Sequence, residues 1–322
     1  MKVYQYSFVL FFLVFSNCTE VAVNNREISN LGASSKAKQY ITVLGIAQDA
    51  GYPQINCEKE CCAAYFRGEE SKKLVSCLGL IDHSTKQKWL FDATPDIAEQ
   101  TEVLKKQHID NGTIINGIFL THAHIGHYTG LMQLGREALG ANKVPVYAMP
   151  RMKQYIETNG PWSQLVALEN INLKKLKQDS IVMPSPKLKV TPILVPHRDE
   201  YSETVGYTIE GPNKSALFIP DIDKWDRWNR NIVEEVKKVN YAFLDASFFR
   251  DGELKRDMSK IPHPFITETT SLFENEAQEI KQKIHFIHFN HTNPALKDSH
   301  RLKDSLKLLG FNFAKQGDNF AL

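Results

Sequence analysis

Long apolar runs are nearly missing from this 322-residue sequence. The run at Phe8–Phe15 holds eight residues, whereas a helix that crosses a bilayer needs about 20. An excess of one charge sign is missing as well. Lys+Arg 39 against Asp+Glu 37 leave a net +2, which supplies no strong field for nucleic acid or an anionic membrane. With 17 Gly and 14 Pro and no repeat, the chain is neither collagen-like nor low-complexity, and 42% hydrophobic residues exclude general disorder. Cysteine is scarce at 5 residues, yet three of them, Cys57, Cys61 and Cys62, fall within one short stretch.

The N-terminus stands apart. Lys2 precedes the Phe8–Phe15 run, which reads as the core of a secretory signal. Ser16-Asn17-Cys18 follows, and a Cys directly after such a run resembles a bacterial lipoprotein signal, although Asn17 departs from the usual small residue. The expectation is a signal over 1–18, a polar tether over 19–38 and one domain over 39–322. The protein would be exported and membrane-anchored through Cys18, or else periplasmic or secreted.

From Tyr40 onward, β-rich apolar runs alternate with helical patterns. Strands are expected at 41–45, 78–82, 89–92, 114–120, 144–148, 188–194, 205–209, 216–219, 241–244 and 284–289. Helices are expected at 96–107, 130–139, 151–158, 227–238 and 295–309. Many strands without clean strand–helix alternation in the first third suggest sheets packed together with helices outside, an α/β (α+β) class.

The most informative segment is Ile118-Phe119-Leu120-Thr121-His122-Ala123-His124-Ile125-Gly126-His127. An apolar strand ends, and three His follow within six residues. His122 and His124, two apart, face one side at a strand end, and a turn brings His127 round. Imidazole is the commonest metal ligand, and packing does not explain three at this spacing.

This segment resembles the His-x-His-x-Asp-His signature of the metallo-β-lactamase-fold hydrolases. His197 after the strand 188–194, Asp221 after 216–219 and His288 within 284–289 fit that family in order. More narrowly, Val43 to Gly51 with Tyr52-Pro53-Gln54-Ile55-Asn56-Cys57, and the ending Ile287-His288-Phe289-Asn290-His291-Thr292-Asn293-Pro294, look like the coenzyme PQQ synthesis protein B group. A cyclic-phosphodiesterase group of phosphonate metabolism is a related branch.

The resemblance implies a four-layer αββα metallo-β-lactamase sandwich with metals at one edge. One metal would take His122, His124, His197 and Asp221; a second would take His127, Asp221 and His288. A carboxylate shared by two cations offsets their repulsion, and a metal-bound hydroxide is the nucleophile. One departure matters: the family's Asp before the third His is here Gly126. Asp199, Asp223 or Asp245 could replace it.

Cys57, Cys61 and Cys62 fit disulfides in an exported protein, or a structural zinc. The phosphodiesterase branch implies the zinc, with His291, three residues after His288, as fourth ligand. His263, between Pro262 and Pro264, is expected to face substrate or transfer a proton. Arg198 could bind an anionic group, and Asp92 would support the metal loop from behind. His83, His108, His285 and His300 read as surface residues, and Lys174-Lys175-Leu176-Lys177 as a solvated face.

The expected function is a metal-dependent hydrolase of a small phosphodiester, lactone or other ester-type substrate, with Asp221 and His263 as catalytic residues. Its cofactors would be one or two catalytic Zn2+, with Mn2+ or Fe2+ as alternatives, and one structural Zn2+. The alternatives are an iron-dependent oxidoreductase like that proposed for the synthesis group, and a non-catalytic binding lipoprotein. No nucleic acid is expected as partner, and a membrane only through the lipid anchor.

Overall fold

Strand β1 (Gln39–Gly45) buries every residue it contains. Neighbouring residues on a strand face opposite sides, so both faces of this strand must be covered. Ile41 and Val43 join one core, and Tyr40 and Leu44 join another. The same split divides β2 (Cys77–Asp82) and β3 (Gln87–Phe91), with Leu78, Leu80, Trp89 and Phe91 on one side and Cys77, Ile81 and Leu90 on the other. Burial on both faces explains why these strands read as nearly continuous apolar runs.

In the computed structural model, Met1, residues 37–298 and residues 300–322 are described. The expected signal and most of the tether, residues 2–36, lie outside them. The described residues from 37 onward belong to one compact unit. Among the described residues no helix is long and apolar enough to cross a membrane.

The first sheet continues through β4 (Gly117–Phe119), β5 (Val144–Ala148) and β6 (Ile171–Lys175). The second holds β7 (Val182–Ser185), β8 (Leu188–Leu194), β9 (Val205–Glu210), β10 (Ser215–Ile219), β11 (Tyr241–Asp245), β12 (Ile284–Ile287) and β13 (Asn312–Phe313). The last strand, β14 (Asn319–Ala321), returns to pair with β1. The orders are β14-β1-β2-β3-β4-β5-β6 and β13-β12-β11-β10-β9-β8-β7. Both sheets are mixed: β3 to β6 and β10 to β13 run parallel, and the other pairs antiparallel.

Aromatic rings fill the space between the sheets. Phe91 lies 5.3 Å from Phe119, 5.3 Å from Tyr207 and 5.9 Å from Phe218, centroid to centroid. Each such ring, fully buried, contributes about 1.5–3 kcal/mol. Outside the first sheet, Ile97, Leu131, Met152, Ile156 and Leu165 cover Leu90, Ile118 and Val146. The helices Ile232–Lys237 and Ile266–Leu272 add Ile232, Val236 and Ile266 to the core that includes the second sheet. The result is two mixed sheets flanked by helices, the metallo-β-lactamase α/β sandwich.

Some elements differ from expectation. The helix expected at 130–139 is a 3-10 stretch, Thr129–Leu134, and the one at 295–309 splits into Pro294–Leu296 and Arg301–Leu308. The lysine-rich segment contributes Lys174 and Lys175 to edge strand β6. Lysines on an edge strand discourage pairing with another chain, which hid the strand.

The strand ends position the site. Val205 N donates to Thr121 O at 3.1 Å, and the Tyr207 hydroxyl donates to Leu120 O. These cross-sheet bonds pin the chain just before His122.

Candidate metal centre

His122 and His124 leave the end of β4, and His127 follows in the short helix Ile125–Tyr128. His197 comes after β8, Asp221 after β10 and His288 after β12. They meet. Asp221 Oδ2 lies 3.3 Å from His122 Nε2, 3.2 Å from His197 Nε2 and 3.8 Å from His124 Nδ1. His124 Nδ1 is 2.8 Å from His122 Nε2 and 3.2 Å from His197 Nε2. A second group combines Asp49, His127, Asp221 and His288. In each group the ligand atoms all lie within 4.8 Å of one another.

The outward side of each ring decides what faces inward. His122 Nδ1 donates to Thr121 Oγ1 (3.0 Å), which itself donates to Asp92. His124 Nε2 donates to Glu200 (3.0 Å), His127 Nδ1 to Asp92 (2.7 Å) and His197 Nδ1 to Asp223 (3.1 Å). His288 Nδ1 donates to Ser247 Oγ at 3.0 Å, while that hydroxyl donates to Asp245. With the outer nitrogen of each ring committed outward, the five inner nitrogens face a shared space and become ligand atoms once a cation displaces any proton they carry. Such outer partners orient metal-binding imidazoles. His127 Nε2, His288 Nε2, Asp49 Oδ1 and Asp221 Oδ1 are buried without a hydrogen-bond partner, a loss that ion coordination would offset. Imidazole and carboxylate are donors that zinc, manganese and iron accept. The residues present therefore fit a metal.

The electrostatics agree. Burial would raise the Asp221 carboxyl, but His197 and His263 hold it well below the usual carboxylate range. Burial pushes His122 well below the ordinary histidine value, helped by His127. For His288, burial is outweighed by Asp245 and Asp49, which lift it to about 9. His288 also adopts a left-handed backbone, φ 67°, uncommon outside glycine and held here by its surroundings.

His263 joins the centre. Its Nδ1 donates to Asp245 Oδ2 at 2.9 Å and lies 3.1 Å from Asp221 Oδ1. Arg198, half exposed, brings Nη2 within 3.2 Å of His124 Nδ1, at the mouth of the site.

None of the three carboxylates considered as replacements at Gly126 enters the second group. Asp223 backs His197, Asp245 backs His263 and Ser247, and Asp199 accepts from Thr204 Oγ1 at 2.7 Å. Asp49 stands there instead, from the turn after β1. In the sequence its segment reads only as part of the family's opening, and a turn Asp usually reads as solvated.

Cys57, Cys61 and Cys62 are brought together, with Cys57 Sγ 3.7 Å from Cys61 Sγ, and all three are free thiols. The Tyr52 hydroxyl donates to Cys61 O at 2.9 Å and steadies the cluster. Burial drives the Cys62 thiol up to about 12, whereas for Cys57 burial is overcome by the Lys59 N–H and its neighbouring thiols. His291 is not within that close group, though its buried Nδ1 has no partner.

Of the four histidines read as surface residues, His83 is exposed as expected, while His108, His285 and His300 are partly buried. His83 and His108 both bond the Tyr40 hydroxyl, at 3.2 and 2.7 Å. His285 is half-buried against Phe243 and Phe320, and His300 Nδ1 caps a helix by accepting from Leu302 N.

A family model described as "Beta-lactamase superfamily domain" matches residues 87–318. The chain is similar to "Coenzyme PQQ synthesis protein B" of Acinetobacter baylyi, 26% identical, covering 86% of this chain and 98% of that one. It is also similar to the Klebsiella pneumoniae protein of the same name, 26% identical over 86% and 96%. Among solved structures, Zn2+-bound PqqB from Methylobacterium extorquens superposes with TM-score 0.73 at 22% identity, covering 88% of this chain and 100% of that one. A diphosphatase from the PhnP family gives TM-score 0.60 at 20% identity, covering 88% and 98%.

Proposed function

The chain belongs to the beta-lactamase superfamily, and on that premise we propose that it is a metal-dependent hydrolase of a small phosphodiester, lactone or other ester-type substrate. One observation carries the reading: five imidazoles, each with its outer nitrogen bonded to an acceptor, turn their other nitrogen toward the space around Asp221.

His122, His124, His197 and Asp221 would hold one cation, and His127, His288 and Asp221 a second. Zinc is the first choice, with Mn2+ or Fe2+ as alternatives. Bound there, a cation lowers the pKa of water and polarises the scissile bond. Asp221 fixes the spacing of the two groups. Asp245 accepts at His263 Nδ1 and favours the charged ring, leaving Nε2 to protonate a leaving oxygen. Arg198 would hold an anionic substrate group at the mouth.

Cys57, Cys61 and Cys62 would hold a separate structural zinc, with His291 as fourth ligand. Export and a lipid anchor at Cys18 complete the proposal; fatty-acid labelling that persists in Cys18→Ser would contradict the anchor.

The test is turnover of bis(p-nitrophenyl) phosphate, a lactone and a thioester. Activity should vanish on chelation, return with zinc and be absent in His122→Ala. Turnover that survives both treatments would contradict a metal-dependent hydrolase. The likeness to PQQ synthesis protein B favours one second reading, an iron-dependent oxidoreductase. Oxygen consumption by iron-loaded protein, without hydrolysis, would support it.

A further inference from the structure

The second metal group has no carboxylate directly before His127, because residue 126 is Gly. We propose that Asp49 is the fourth ligand of the second metal, supplied from the turn after β1, and that Gly126 provides the space it needs. This inference rests on the two-metal reading above.

Asp49 Oδ1 lies 3.1 Å from His127 Nε2 and 3.5 Å from His288 Nε2. At such distances a hydrogen bond is expected, yet none of the three atoms makes one of good geometry. The far side of each ring is already committed. His127 directs its proton through Nδ1 to Asp92, and His288 through Nδ1 to Ser247. A cation held between them would replace any proton on either Nε2, leaving two imidazole lone pairs and a carboxylate oxygen turned toward it across a buried gap.

The space around Gly126 completes the argument. A Cβ built there would lie 2.5 Å from Asp49 Cα, 2.5 Å from Asp49 Oδ1 and 2.9 Å from Asp49 Cβ. No side chain fits at 126 while Asp49 holds its place. The two carboxylate positions exclude each other, so a glycine at 126 and an aspartate at 49 form one solution.

Asp49 is also held firmly. Gln48 N donates to Phe289 O at 2.8 Å, and Phe289 N donates to Ile46 O at 2.8 Å. Asn290 Nδ2 donates to Gln48 Oε1 at 2.7 Å. This lacing ties the Asp49 turn to the segment that carries His288. Two imidazoles and two carboxylates make a harder donor set than the three imidazoles and one carboxylate of the other group. The second position should therefore accept Mn2+ more readily than the first.

The test counts zinc per chain after metal-free protein is equilibrated at fixed free Zn2+. It uses the full chain as wild type, Asp49→Asn, Asp49→Ala, Gly126→Ala and His288→Ala. Thiol-bound zinc is common to all and cancels in the differences. Both Asp49 variants should hold one zinc fewer than wild type, with affinity at that position down at least ~100-fold, at the top of the 10–100-fold range for losing an outer partner. Gly126→Ala should lose the same zinc, because its methyl displaces Asp49. Metal-free melting temperatures of the Asp49 variants should match wild type, while the rise on adding zinc shrinks. Unchanged zinc count and affinity in both Asp49 variants would overturn the proposal, as would lowered metal-free melting temperatures with unchanged zinc. If His288→Ala also keeps every zinc, the two-metal reading itself fails.

Discussion

Replacing Asp92 by Asn changes one heavy atom and should disable the second metal position. Asp92 Oδ1 accepts from Thr121 N at 2.8 Å and from Thr121 Oγ1 at 2.9 Å, while Oδ2 accepts from His127 Nδ1 at 2.7 Å. In Asp92→Asn the backbone N–H of Thr121 still needs an acceptor, so the amide oxygen must take the Oδ1 place. The amide NH2 then faces His127 Nδ1. Two donors cannot face each other, so the imidazole proton moves to Nε2, the atom that faces Asp49 and Asp221. A protonated Nε2 cannot ligate. Loss of an outer partner typically lowers metal affinity 10–100-fold, about 1.4–2.7 kcal/mol, and the forced tautomer sets the expectation at the upper end. The assay is zinc affinity by chelator competition, together with 15N NMR of the His127 ring. The expected result is weaker binding of one zinc and loss of the Nδ1–H signal in the metal-free variant. Wild-type affinity with an Nδ1–H signal would refute the reasoning.

Three other predictions follow from the same geometry. His263→Gln should lower kcat by about 10²–10⁴ with zinc content unchanged; loss of zinc would move His263 from proton transfer into the metal cage. Zinc uptake at pH 7 should release at least about one proton per chain, because Asp92 and Asp49 hold His127 well above its ordinary value, and Asp245 and Asp49 hold His288 at about 9, both against burial. Calorimetry in buffers of different ionisation enthalpy reads that number, and a zero slope would contradict it. Burial keeps His285 at about 4, so it stays neutral in the folded chain while the unfolded one protonates near 6.5. Its contribution to stability is then complete above about pH 6.5 and lost as pH falls toward 4, by ~1–3 kcal/mol. His285→Phe should flatten the urea midpoint between pH 7 and 5, and an unchanged slope would contradict this.

The two sheets were legible because their strands are buried on both faces and so read as apolar runs. Edge strand β6 was hidden by Lys174 and Lys175, which serve its exposed side. His122, His124 and His127 were legible because their spacing alone brings them together. His197, Asp221 and His288 were legible only through the family resemblance, which expects a ligand at or just after each of those strands. Asp49 was not, since nothing local separates a metal-facing aspartate from a turn former. Gly126 reads as a missing ligand in one dimension and as a space for Asp49 in three. The thiol cluster was visible as a cluster, but adjacent sulfurs in sequence leave the position of His291 undetermined.

The most direct test of the metal centre is elemental mass spectrometry of the purified protein as wild type, His124→Ala and Cys61→Ala. Two or three metals per chain are expected, with His124→Ala and Cys61→Ala each losing a different one. A wild-type metal content that His124→Ala leaves unchanged would contradict a metal centre built on these histidines.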